Sequence, residues 1–523
     1  MSPTFLLGLD GATFRLLDEL AAPDGVMPYL GSLIREGTHA VLRSTPHPLT
    51  PPAWTTIATG MNPGNHGIYD FLRVQVGGDN ALMRLNDFRC IGCETIWTMT
   101  SNRGGSVNLL NFPLTSPPPA IRGSVVPGLM SWKHLRRNIL PAGLFDEISA
   151  MPGFDAKQIS WDFESEKKAL LAMAEDELEG WVEFHILRER RWFEILSLVT
   201  ERHPADLTAI VFDGVDKLQH ACWRHLDPDL RGRYGSPADV RLRELCLEYF
   251  RALDGFIRES IEKLGPQTRC FICSDHGFGP SDFIFRVNEW LASEGHLRWL
   301  DDATKAEATP GNYIPVDWNN TVAYAPSAAA NGIHIRVATA PGQTGIAPEN
   351  YREFVAKLTR RLLELRHPTS GQPLLQKVLH RDDVFTGQYR ESAPDLTLVM
   401  SDHGFVSVLH QLPVIEQRQV PIGTHAPDGI FIATGPGIRR SVRMEPLDIV
   451  DIAPTLLYSL GLDVPESLDG EIIRGCFEAE HLRSNPPRRV ASVQADVETS
   501  GTDIDEEEEG LVMDRLRALG YIE

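Results

Sequence analysis

The chain has 523 residues, too many for one small module and enough for one large elaborated domain or two to three ordinary ones. Hydrophobic residues at 42% against 23% charged support a packed core and exclude global disorder. With 50 basic and 71 acidic side chains the net charge is −21, which argues against non-specific binding to a nucleic-acid polymer or docking on anionic lipid.

Seven cysteines, an odd number, do not make a disulfide framework and fit a reducing compartment. The first apolar run has no basic region before it and stops at Asp10, too short for a signal peptide. No stretch of 18 apolar residues occurs, so no membrane span is expected, and the cytoplasm is the expected location.

In chain order, residues 4–9 read as a buried strand whose carboxyl end presents Asp10. Residues 27–36 read as a helix. Further short apolar runs follow at 206–212 before Asp213, at 268–273 before Ser274-Asp275-His276, at 395–400 and at 429–433, with a helix over 240–263. Strands alternating with helices predict an α/β fold with a mostly parallel sheet, whose sites lie at the carboxyl ends of the strands. The expected organisation is a catalytic core in three parts (1–87, 205–284 and 386–484). It is interrupted by an inserted cap or substrate region at 88–204 and a second insertion at 285–385. Residues 485–510, ending in Glu506 to Glu509, read as a flexible acidic linker, and 511–523 as a short C-terminal helix.

Four segments carry chemistry. Thr50 precedes Pro51-Pro52 and reads as the N-cap of a helix, where its hydroxyl would face N–H groups suited to phosphate oxygens. As an alcohol it is a weak nucleophile until a metal or base takes its proton. Asp216 and His220 are spaced i and i+4, one face of a helix and a spacing that suits two ligands of one metal. Asp275 and His276 follow a buried strand, and His425 lies in a turn-like stretch before another. Each is a weak signal alone, equally readable as a cap, an exposed acid or a packing histidine. Together with Asp10 they make three carboxylates, three imidazoles and an alcohol, enough for two divalent cations with positions left open. Three aspartates and an alkoxide, about −4, would balance two such ions, and the cations would supply the local positive charge that an acidic protein needs for an anionic substrate.

This ordered series resembles the alkaline phosphatase superfamily, and within it the type I phosphodiesterase/nucleotide pyrophosphatase family with its phosphohydrolase and phosphomutase relatives. The supporting text is LTPPAWTTIATGMNPGNHGIYDF, VDKLQHACWRHLDP, SDHGFGP and GTHAPDGIFIATGPGI. The resemblance implies a three-layer α/β/α core with a mostly parallel sheet and inserted caps. It implies Thr50 as nucleophile, one metal on Asp10, Thr50, Asp275 and His276, and a second on Asp216, His220 and His425. Zn²⁺ is the expected metal, with Mn²⁺ the alternative. The implied reaction forms a phospho-threonine that water opens from the opposite face. The substrate is expected to be a small phosphorylated molecule, with a phosphodiester or nucleotide-type pyrophosphate bond. Nucleotide-cleaving relatives carry asparagine where this chain has Ala53, which leaves diester against monoester open; Asn111 is the candidate replacement for holding a phosphate oxygen. Sulfatases of this fold need Cys-x-Pro-x-Arg at the nucleophile, which Thr50-Pro51-Pro52-Ala53-Trp54 lacks. The rival readings are a metal-dependent phosphomutase and a non-enzymatic binding protein that uses its acidic tail.

Several look-alikes are set aside. Ser401-Asp402-His403-Gly404-Phe405 repeats the text of the Asp275/His276 segment and reads as a surface loop. Cys90-x2-Cys93 and Cys270-x2-Cys273 mimic a zinc ribbon, but i and i+3 on a strand point to opposite faces. His66 reads as a turn or packing histidine.

Overall fold

The computed structural model describes residues 1–77, 80–128, 132–160, 175–300 and 316–491. The acidic linker beyond Ala491 and the C-terminal helix lie outside the described residues. No helix among the described residues is long and apolar enough to cross a membrane.

The centre of the molecule is a nine-stranded, mostly parallel sheet. Its order is Val442–Arg443, Thr38–Arg43, Asp428–Thr434, Arg269–Cys273, Thr4–Leu9, Leu207–Phe212, Val107–Leu110 and Gly123–Val126, with Leu447–Asp448 also pairing to Thr38–Arg43. The five strands from Arg269–Cys273 to Gly123–Val126 are mutually parallel, and Asp428–Thr434 runs against both its neighbours. Thr4–Leu9 is wholly buried, as is expected of a strand covered on both faces.

Side-chain alternation along the strands builds two cores. Phe5, Leu7, Ile210, Phe212, Cys270 and Ile272 face one layer of helices, including Gly214–Leu226 and Pro237–Leu264. Leu6, Ala209, Val211, Phe271 and Cys273 face the other, which includes Thr50–Thr59 and Ile452–Ser459. Cys270 and Cys273 thus point into opposite cores, and all seven cysteines are free thiols.

Two segments differ from the sequence expectation. Val107–Leu110 and Gly123–Val126, inside the stretch expected to be an inserted cap, extend the central sheet at its outer end. These runs are only four residues long and lack a strong period. Conversely, Leu396–Met400 belongs to a separate four-stranded sheet with Ala323–Tyr324, Gly332–Ile335 and Leu375–His380, although its sequence matches a core strand. Burial on both faces makes an apolar run in a small sheet read like one in a large sheet. Its residues join a third apolar core with Phe283, Trp290, Trp318 and Tyr324. The opening of the expected linker is also docked: Arg489–Val490 pairs with Val464–Pro465.

Candidate metal centre

Three adjacent parallel strands end side by side and deliver acids to one rim. Asp10 follows Thr4–Leu9, Asp275 lies two residues past Arg269–Cys273, and Leu207–Phe212 leads into the helix Gly214–Leu226 that bears Asp216 and His220. His425 arrives by another route. It sits on Ile415–Ala426, which runs antiparallel to Gly277–Arg286 with His425 opposite Phe278 and Ala426 opposite Gly277. That register stacks the His425 ring on His276 at 3.7 Å between centroids. Close approach to the metal-side helix requires Gly423, where a Cβ would lie 2.1 Å from the Gln219 carbonyl oxygen.

The donor atoms fall into two groups. Those of Asp216, His220 and His425 all lie within 4.8 Å of one another, and so do those of Asp10, Asp275 and His276. Thr50 Oγ1 lies 3.4 Å from His276 Nε2, between the acid-rich strand ends and its own helix. The structure therefore brings together all seven of the singled-out residues.

Hydrogen bonding fixes which atoms face the centre. His220 Nδ1 lies 3.1 Å from the Gly423 carbonyl, His276 Nδ1 3.1 Å from that of Gly277, and His425 Nδ1 3.0 Å from that of Pro48. A carbonyl only accepts, so each Nδ1 carries the proton and each Nε2 presents its lone pair. His220 Nε2 and His425 Nε2 face each other at 3.0 Å. Two lone pairs at that distance repel, and a shared cation relieves this: nitrogens on one tetrahedral zinc stand roughly 3.3 Å apart.

The carboxylates show the same asymmetry. Trp54 Nε1 donates to Asp10 Oδ2 at 3.3 Å, and the Gly11 amide donates to Asp275 Oδ1 at 3.1 Å. Gly11 holds the left-handed turn, at φ 68°, that aims this amide. Asp10 Oδ1, Asp275 Oδ2 and Asp216 Oδ1 are buried and have no hydrogen-bond partner among the described residues. Tethered on one side and bare on the other, such oxygens fit metal ligation. The donor set, imidazole nitrogen plus carboxylate, suits zinc and also manganese.

Charge crowding has a measurable consequence. Burial, and then the charges of Asp275, Asp216 and Asp213, hold the Asp10 carboxyl well above the usual range. Burial pushes Asp275 up to about 8. Burial also raises Asp216, but His220 and His425 beside it outweigh this and hold it below the usual range. Burial lowers His276, and brings His47 and His66 to about 3. In the unfolded chain the aspartates lose their protons near pH 4 and the histidines near 6.5. Above pH 6.5 His276, His47 and His66 are mainly neutral in both states, while folded Asp275 still holds a proton that the unfolded chain has lost. The metal-free protein is therefore expected to lose stability as pH rises from about 6.5 to 8, by up to about 1.4 kcal/mol per unit for each such carboxyl. Metal-loaded protein is expected to lack this slope, since the ions replace the protons. Urea unfolding across that window, with and without Zn²⁺, measures it; a rising stability in the metal-free protein contradicts it.

Two local readings change. The helix begins at Thr50 itself, with Leu49 as its cap, so the Thr50 hydroxyl is not spent on capping. Pro51 and Pro52 have no N–H, and the Ala53 amide donates to the Leu49 carbonyl at 3.0 Å. This helix end thus offers an anion fewer donors than an ordinary one. Asn111 does not suit a phosphate oxygen either: its Nδ2 donates to Val211 O at 2.8 Å and to Asp213 Oδ1 at 3.1 Å, which uses both amide hydrogens.

The look-alikes sit elsewhere. Asp402 accepts from the Asp282 and Gly404 amides, and neither it nor His403 joins a donor group. Phe405 from that loop nevertheless packs edge-on against His425 at 4.9 Å, and Phe278 lies at 5.4 Å, so both copies of the repeated text wall the same imidazole. His66 is fully buried. Its Nδ1 accepts from the Ile68 amide and its Nε2 donates to the Thr56 hydroxyl at 3.0 Å, pinning the Thr50 helix to the following turn. Sequence reasoning missed the aromatic walls, because Phe278 and Phe405 carry no signal except their place after each Asp-His-Gly.

The model of the type I phosphodiesterase/nucleotide pyrophosphatase family matches residues 4–428. The chain belongs to that family. No protein with a curated description matches it. Among solved structures, human ectonucleotide pyrophosphatase/phosphodiesterase 5 is similar with a TM-score of 0.50 and 16% identity, covering 91% of this chain and 100% of that one. The murine form gives 0.51 and 14%, with the same coverage. Phosphonoacetate hydrolase from Sinorhizobium meliloti, in complex with phosphonoformate, gives 0.52 and 16%, covering 88% of this chain and 95% of that one. At such identities the likeness establishes the fold alone. As a member of the type I phosphodiesterase/nucleotide pyrophosphatase family the protein is a hydrolase acting on phosphoester bonds.

Proposed function

We propose that the protein is a two-metal phosphohydrolase that cleaves a small phosphodiester or a nucleotide-type pyrophosphate through a phospho-threonine at Thr50. The observation that carries this reading is the convergence of the Asp216, His220 and His425 donor atoms, with the two Nε2 atoms 3.0 Å apart, beside a second donor group that Thr50 adjoins. Asp216, His220 and His425 would hold one ion, and Asp10, Asp275, His276 and Thr50 the other. When bound, two divalent ions lower the pKa of the attacking oxygen and neutralise charge gathering on the phosphoryl group.

The side chains supply the rest. Thr50 Oγ1 gives up its proton and attacks phosphorus; the P–O bond to the ester or anhydride oxygen breaks, and that oxygen leaves and takes up a proton. Water then cleaves the phospho-threonine, releasing a phosphomonoester and returning a proton to Thr50. Burial favours the neutral form of His276, so its Nε2 beside the hydroxyl is an acceptor and not a competing donor. Trp54 and the Gly11 amide keep Asp10 and Asp275 aimed.

Metal-loaded protein is expected to turn over an aryl phosphodiester or a nucleotide pyrophosphate faster than an aryl phosphomonoester, with one solvent oxygen entering the phosphoryl product in ¹⁸O-water. A phosphomutase would instead return the phosphoryl group to substrate without solvent oxygen, so an unlabelled rearranged product refutes hydrolysis. Preference for the monoester refutes the substrate assignment alone.

A further inference from the structure

The strand end that delivers Asp216 carries a second acid, Asp213, one residue before the helix Gly214–Leu226. The two carboxylates have different duties. Asp216 joins a donor group, whereas Asp213 is engaged on both oxygens. Asp213 Oδ1 accepts from Asn111 Nδ2 at 3.1 Å and from Arg188 Nη1, and Oδ2 faces Lys217 Nζ at 3.2 Å. The next amide, that of Gly214, donates to Glu189 Oε1 at 2.7 Å, which also accepts from the Tyr249 hydroxyl at 2.9 Å. Asp213, Asn111, Arg188, Glu189 and Lys217 are all buried.

These partners come from separate parts of the chain. Asn111 follows the strand Val107–Leu110, Arg188 and Glu189 lie on the helix Glu175–Arg202, and Lys217 is the residue after Asp216. They converge on the corner where strand becomes helix, and that corner sets the direction of the first helical turn. Committed to two cations and an amide, Asp213 is unsuited to ligate a metal itself.

We propose that Asp213 is a positioning residue for the Asp216–His220–His425 site. Its carboxylate gathers Lys217, Arg188 and Asn111 and so locks the turn that points Asp216 at His220 and His425. The inference rests on reading that trio as a metal site. Groups that orient ligands in this way are worth about ten- to a hundredfold in metal affinity.

The test is calorimetric Zn²⁺ titration, with a competing chelator, of full-length metal-free protein. Wild type, Asp216→Asn, Asp213→Asn, Lys217→Met and Asp254→Asn are compared. Asp254 is a control of the same chemistry on another helix, where it accepts from the Tyr29 and Leu30 amides. Asp213→Asn and Lys217→Met are expected to lower the affinity of one site at least tenfold and to leave the other unchanged, while Asp254→Asn changes neither. Wild-type affinity at both sites in a folded Asp213→Asn or Lys217→Met protein overturns the proposal, as does equal weakening of both sites or the same loss in Asp254→Asn. If wild type binds no ion, or Asp216→Asn keeps two tight sites, the underlying metal reading fails instead.

Discussion

Replacing Thr50 by alanine is expected to lower kcat/KM for phosphate-ester cleavage by at least about a thousandfold, or about 4 kcal/mol of transition-state stabilisation. The hydroxyl, proposed as the nucleophile, lies at the head of the helix Thr50–Thr59, 3.4 Å from His276 Nε2. It makes no capping bond, so its loss leaves the helix start intact. All six charged or imidazole donors of the two groups remain, and metal content is expected to stay at two ions per chain. Elemental analysis and steady-state kinetics on the same preparation check both halves. Turnover within tenfold of wild type would remove Thr50 from the chemistry. Loss of both turnover and metal would make it a structural ligand instead.

Stripping the divalent ions has the other large expected effect. Dialysis against a chelator is expected to reduce turnover below about 1%, and Zn²⁺ or Mn²⁺ to restore it. The physical reason lies in the six donors. Three imidazole Nε2 atoms crowd one rim with three carboxylate oxygens that have no hydrogen-bond partner among the described residues, and the two donor groups contain no lysine or arginine. Refilling is also expected to raise the unfolding temperature, since ions that bind only the folded state stabilise it by mass action. Metal-free protein, verified by elemental analysis and still fully active, would refute the two-metal mechanism.

The two effects would separate the proposed nucleophile from the cations proposed to activate it. The aromatic enclosure adds a further layer. Phe278, from the strand Gly277–Arg286, and Phe405, from a loop, press on His425, and dry walls strengthen every charge interaction inside them. Ala53 and Trp54, which depart from the pattern of nucleotide-cleaving relatives, are both buried in the core beneath the sheet rather than lining an open pocket. Trp54 reaches the site through its indole N–H on Asp10.

Much was legible in the sequence because it depends on near neighbours. Short apolar runs ending in acid determined the parallel core and placed Asp10, Asp213 and Asp275 at strand ends. The i, i+4 spacing of Asp216 and His220 put them on one helix face. The opposite facing of Cys270 and Cys273 follows from strand period alone. What only the tertiary structure decided involves residues far apart in the chain. His425 reaches His276 through an antiparallel register across more than a hundred residues, and no local period specifies which strands pair. The choice between the Asp275/His276 and Asp402/His403 pairs was likewise tertiary, since identical text followed a strand in both places and only the sheet that received the strand differed. Asp213 and Asp216 look alike in sequence. They differ in the fold because Arg188, from a helix packed on the same corner, pairs with the first, whereas the second faces two imidazoles.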